Sequence, residues 1–167
     1  MPLHHVAYAT KDVGATTRFY EELMGFPLVY TETTAGQGDS WIRHIFFDIG
    51  PDEAGKAEAI AFFEVHNVGE KPDFTTDVSD GVGLPVWVNH CAFRATKEKQ
   101  DEVRARMDAA GIKPLMDVDH GWCHSLYYLD PNGIMVELCR DTPGFVPDGA
   151  EAKRLLTADP RANAKNA

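Results

Sequence analysis

The stretch LHHVAYATKD at residues 3–12 returns as VNHCAFRATKE at residues 88–98. Each copy carries a His (His5, His90), a small residue two places on (Ala7, Ala92), an aromatic (Tyr8, Phe93) and a Thr-Lys pair. Each then leads into a helix-like stretch that stops at a glycine, 20 residues after His5 at Gly25 and 21 residues after His90 at Gly111. Further on, each copy reaches an apolar strand interrupted by one acid: AFFEV with Glu64, MVELC with Glu137. A doubled unit that brings a His and a carboxylate twice into equivalent places predicts a metal site at a pseudo-twofold seam.

Working outward, residues 3–10 read as a strand, and Asp12 offers an N-cap for a helix whose apolar face is Phe19, Tyr20, Leu23 and Met24. Gly25 is its stop. Residues 27–33, 41–49 and 59–66 read as three more strands, giving a βαβββ module. Residues 67–85 are rich in Gly, Pro, Asp and Thr and read as a crossing linker. A second βαβββ follows: a strand at 86–95, a helix at 98–110 with Val103 and Met107 inward, and strands at 114–118, 123–130 and 134–140. Asp130-Pro131-Asn132-Gly133 is a strong hairpin signal between the last two. The expected fold is α+β, two βαβββ modules (3–66 and 86–141) in one domain at 1–145, curled as a mixed sheet around a metal-binding cleft. A tail at 146–167 holds one short helix near 150–156 before a disordered end.

At 167 residues, 44% hydrophobic and 25% charged, the chain has the composition of a soluble globular domain. Its formal net charge of −10, with no basic block, argues against nucleic acid or anionic membrane as partners, because neutralising phosphates takes clustered Lys and Arg. Three cysteines in apolar strand-like runs (Cys91, Cys123, Cys139) fit reduced, buried thiols. No signal peptide or membrane span is read, and the expected location is cytoplasmic.

Side chains alternate across a strand. His5 therefore shares a face with Ala7 and Ala9, and His90 with Ala92, where small neighbours leave room for a cleft. Val6, Tyr8, Cys91 and Phe93 point to the opposite face, under the helices, and His4 is out of register. A carboxylate inside an apolar strand must be paired or bind a metal. Metal ligation is expected at His5, His90 and Glu137, with Glu64 as a candidate fourth ligand.

The pieces HHVAYAT with RFYEELMGF, then NHCAF, then YYLDPNGIMVEL resemble the vicinal oxygen chelate superfamily, which holds glyoxalase I, extradiol dioxygenases, epimerases and antibiotic-resistance proteins. The resemblance spans about residues 3–141. It implies a divalent metal that chelates two neighbouring oxygens of a small-molecule substrate, commonly in a homodimer and in some members in a site built across two chains. Two chemistries are then open. Ring cleavage by O₂ takes two His and one carboxylate on Fe(II), leaving adjacent positions free. The resemblance puts His120 as the acid/base group, with His124 as a possible replacement, and Tyr127 near the substrate. His120 and Tyr127 stand closer together than in larger extradiol enzymes. Isomerisation of the glyoxalase or epimerase kind takes two His and two Glu on Ni(II), Co(II), Zn(II) or Mn(II), and there Glu64 would be a ligand. His44 could contact substrate or hydrogen-bond Glu64, and Trp41 and Trp122 could pack an aromatic ring. A drug-sequestering protein is a third, non-catalytic reading. The dioxygenase is preferred, and Glu64 decides between the first two.

Overall fold

The structure, a computed structural model, describes residues 3–51 and 54–163. The first module runs β1 (His5–Thr10), α1 (Val13–Thr17), β2 (Leu28–Ala35), β3 (Trp41–Pro51) and β4 (Ala57–His66). The second runs β5 (His90–Arg94), α2 (Lys97–Ala109), β6 (Met116–Asp119), β7 (Cys123–Leu129) and β8 (Met135–Asp141), and α3 (Gly149–Leu155) lies in the tail. Asp12 caps α1, its carboxylate accepting from the Ala15 amide. The helix continues as a π-helical stretch, Arg18–Met24, that buries Phe19, Tyr20, Leu23 and Met24 together. Gly25 ends it in the left-handed conformation, donating to the Tyr20 carbonyl.

Each module folds its strands in the same order, β1-β4-β3-β2 and β5-β8-β7-β6, with the first pair parallel and the others antiparallel. The two expected βαβββ modules are present, each as a four-stranded mixed sheet. No ladder joins β1 to β5, which meet through side chains instead, the Tyr8 phenol standing beside Cys91. The strand expected at 86–95 begins only at His90, because a turn closed by the Val88 amide on the Pro85 carbonyl occupies its first residues. The last four residues of the expected disordered end lie outside the described residues.

One core lies beneath both sheets. Phe19, Tyr20, Met24, Phe47, Ile60 and Phe62 from the first module join Phe93, Val103, Met107, Leu126, Tyr128 and Leu138 from the second. Across the seam Phe26 meets Phe93 edge to face at 5.0 Å, and the Arg106 guanidinium donates to the Leu23 carbonyl at 2.8 Å. Tyr20 donates to Asp130 at 3.0 Å. Val6, Tyr8, Cys91 and Phe93 face this core as expected, leaving His5, Ala7, His90 and Ala92 on the opposite, inner faces. Among the described residues no helix is long and apolar enough to cross a membrane.

Candidate metal centre

The second sheet assembles the denser half of the site. The register places Ala92 beside Glu137, and Glu137 beside Tyr127. His90, Ala92, Glu137, Tyr127, Ser125 and Cys139 therefore project from one face. Nε2 of His90 lies 3.1 Å from the Glu137 carboxylate. On the other edge of the ring, Nδ1 lies 2.9 Å from the Trp87 carbonyl, which can only accept, so Nδ1 carries a proton. In the neutral ring Nε2 is then a bare lone pair aimed at a carboxylate oxygen, and the two repel unless a proton or a cation stands between them. Glu137 is only 5% exposed, and no Lys or Arg among the described residues bridges to it. Its other oxygen accepts from Ser125, which is fully buried. An imidazole with a fixed tautomer beside a buried carboxylate held by a hydroxyl fits half of a divalent-metal shell.

Tyr127 and His120 stand next to this pair. The Tyr127 hydroxyl lies 3.0 Å from Nε2 of His120, and its ring centroid is 6.4 Å from that of His90. Burial, and the Glu137 charge behind it, hold the Tyr127 phenol above its ordinary range. Trp122 is half exposed, its ring 6.3 Å from His120 and 6.4 Å from Phe145, so it rims this end of the face. His124 is corrected. It sits one residue out of phase with Tyr127 and Ser125 and ion-pairs with Asp117 at 3.1 Å on the helix-covered side. Its backbone carbonyl is bound by Gln100 of α2.

The first sheet supplies His5 and His44 on its inner face. The His5 ring is exposed, with centroids 5.5 Å from Phe46 and 6.2 Å from His44. Its Nδ1 lies 2.8 Å from Nδ1 of His4, so one of those two nitrogens holds the proton. His44 stacks on Phe63 at 3.6 Å, and its Nδ1 meets Glu32 at 3.3 Å. Its Nε2 is buried and makes no hydrogen bond among the described residues.

Glu64 is on the wrong side. In the parallel register His5 pairs with Ala59, Ala7 with Ala61 and Thr10 with Glu64. In the second module Ala92, the counterpart of Ala7, pairs with Glu137. The counterpart of Glu137 is thus Ala61, and Glu64 lies three residues further on, facing away from His5. There it ion-pairs with its register partner Arg43 at 3.0 Å. A hydrogen bond from His44 to Glu64 is excluded for the same reason, since Arg43 and His44 are consecutive and point to opposite faces. Trp41 shares the Glu64 side, stacked on His66 at 5.4 Å, and does not line the inner face.

The structure does not gather His5 into one cluster with His90 and Glu137. Among the described residues, the cluster of donor atoms within 4.8 Å is Cys123, Glu137 and Cys139. Burial pushes the Cys139 thiol up to about 12, keeping it protonated at neutral pH. Sequence reading missed Ser125 and these thiols. Their signal was spacing around the hairpin, which acquires meaning only once the register pairs Tyr127 with Glu137.

A family model for the glyoxalase/bleomycin resistance protein/dioxygenase superfamily matches residues 2–138. The chain belongs to that superfamily. It is 29% identical over 134 residues to MhqA of Bacillus subtilis (strain 168), a protein named as a ring-cleaving dioxygenase. The match covers 80% of this chain and 37% of that protein, so the superfamily member described here spans little more than a third of its curated relative. A form of the fosfomycin resistance protein FosX of Listeria monocytogenes, complexed with Mn(II) and 1S,2S-dihydroxypropylphosphonic acid, superposes with a TM-score of 0.55 at 24% identity. That match covers 85% of this chain and 93% of the other. The lactoylglutathione lyase of Agrobacterium tumefaciens gives 0.52 at 22% identity, over 83% and 92% of the two chains. The two structures share the fold; they do not choose the chemistry.

Proposed function

We propose that the chain is a metal-dependent enzyme that chelates neighbouring substrate oxygens, of the Fe(II) extradiol ring-cleaving kind, with His5, His90 and Glu137 as the metal ligands. The observation that carries this reading is the pairing of Ala7 with Ala61 where the other module pairs Ala92 with Glu137. The repeat keeps its second His and drops its second carboxylate. Two His and one carboxylate is the facial ligand set of Fe(II) oxygenases, whereas the isomerase set needs a second Glu. Of the inner-face carboxylates of the first sheet, Glu32 is on β2, two strands beyond β4, and is engaged by His44, and Asp48 is on β3 opposite Ala59 and accepts from the Gly50 amide.

Bound by this set, Fe(II) would offer adjacent positions to a diolate and to O₂. The protein's own contribution is positioning and proton handling. Ser125 fixes the Glu137 carboxylate, and the Trp87 carbonyl fixes the His90 tautomer. The His120–Tyr127 pair can take the proton of a substrate hydroxyl and return it to the ring-opened product, and His44 is placed to do the same from the His5 side. Both atoms of O₂ enter the product as one ring C–C bond breaks, so no external reductant is consumed. The outer position of His5 supports completion of the site by movement of the two sheets or by a second copy in a homodimer. The three free thiols, Cys91, Cys123 and Cys139, support a reducing, cytoplasmic setting.

The test is anaerobic loading with Fe(II), then oxygen uptake on a panel of catechols. Uptake that scales with iron content is the expected result. No uptake with any catechol, together with turnover of a hemithioacetal by the Ni(II), Co(II), Zn(II) or Mn(II) protein, would favour the isomerase and reject this reading.

A further inference from the structure

Resting on the chelate reading above, we infer that the substrate of this site is an aromatic diol whose ring carries no anionic substituent. The strand registers identify what faces the ring. Around His5 the inner wall is Phe46, Phe63, Ala7 and Ala61, with Tyr30 beyond Phe46 at 5.6 Å. The charged side chains on this wall are Glu32 and Asp48, so a carboxylate, sulfonate or phosphonate placed there meets a like charge. His90 also lines a cavity of about 490 Å³ at the edge of its sheet, with Val78, Val82, Leu84, Val88 and Asn89 of the linker and Tyr8 reaching it from the core-facing side of β1. Its polar groups are a phenol, an amide and the imidazole itself.

Cations are sparse on these faces and stand at their ends. Among the described residues of the two inner faces the guanidinium is Arg94, at the end of β5 and 3.7 Å from Asp141. Arg43 and Arg140 are on the helix-covered side by register. Lys11 lies over the Phe74 ring at 4.7 Å, and Lys71 lines a separate cavity with Ala9 and Phe74. Both gather at the Ala9 end of β1, and His5 to Ala9 is four strand residues, roughly 13 Å. An anionic substituent on the His5 side would be desolvated against Phe46 and Phe63 with no cation on that wall to compensate it, a rejection built from missing partners as much as from Glu32 and Asp48. Aromatic and apolar walls with few polar groups suit an alkyl- or aryl-substituted ring.

Binding tests this without requiring turnover. The protein is loaded with redox-inert Zn(II) and titrated with two rings that differ in one group, a catechol bearing a methyl and the same catechol bearing a carboxylate in its place. Both keep the chelating diol. The methyl compound is expected to bind more tightly by on the order of a hundredfold. Ala7→Arg, at an exposed position on the inner face, should cut that ratio at least about tenfold, and Glu32→Gln should narrow it by a smaller factor. Equal binding, or a preference for the carboxylate, overturns the inference and leaves the chelate site standing. Metal-loaded protein that binds neither diol rejects the chelate reading and this inference with it.

Discussion

A single register position separates the two chemistries that the fold can host. Glu137 and Glu64 both interrupt apolar strands, yet only Glu137 shares its face with the module's repeated His. Glu137→Gln is expected to lower metal affinity by more than the ~10–100-fold typical of losing an outer partner of a ligand. Ser125→Ala should fall within that range, because it frees the carboxylate to rotate. Glu64→Gln should leave metal stoichiometry unchanged and cost at most about 1 kcal/mol through its partly exposed pair with Arg43. Metal content after dialysis against a weak chelator, measured for the three variants side by side, checks the order. Loss of metal in Glu64→Gln equal to that in Glu137→Gln would return the fourth ligand to the site.

At the scale of elements, the β7–β8 hairpin is what aims Glu137 and Tyr127 at one another. Its turn is organised by Asp130, which accepts from the amides of Asn132 and Ile134, from the Asn132 side chain and from Tyr20 of the other module. Burial raises the Asp130 pKa even against those donors, so the turn depends on the complete set. Asp130→Ala strands buried amides and should cost ~2–3 kcal/mol, read as a lower denaturant midpoint at unchanged slope. Gly133 holds φ at 81°, and a Cβ there would lie 2.7 Å from Asp77 of the linker. Gly133→Ala should therefore destabilise as well, coupling the turn to the crossing segment.

For the whole molecule, the seam carries the pH signature. Burial, with Cys91 beside it, raises the Tyr8 phenol from 10.0 to about 12. The folded chain keeps that proton at alkaline pH after the unfolded chain has lost it, so the unfolded state binds fewer protons. The contribution is complete below pH 10 and is lost as the pH rises toward about 12. Unfolding free energy should fall across that window in the parent protein and fall less steeply in Tyr8→Phe. Anaerobic addition of Fe(II) should raise the melting temperature, since a ligand that binds only the folded state stabilises it by mass action. That shift should vanish in both His5→Ala and His90→Ala if the two sheets share one ion.

The sequence alone determined the repeat, the two βαβββ modules, the hairpin before Glu137 and the faces of His5 and His90. Each of these is local, set by period-two alternation, caps and turn residues acting within a few positions. It also placed Tyr127 near Glu137. The tertiary structure decided what depends on pairing between strands distant in sequence. Alternation along β4 alone cannot say which of its faces meets β1, and the parallel register put Ala61, not Glu64, opposite Ala7. The same physics moved Trp41 and His124 to the helix-covered side and brought Ser125 beneath Glu137. A one-residue change in register turns a side chain to the other face, and register is fixed by the packed core beneath both sheets.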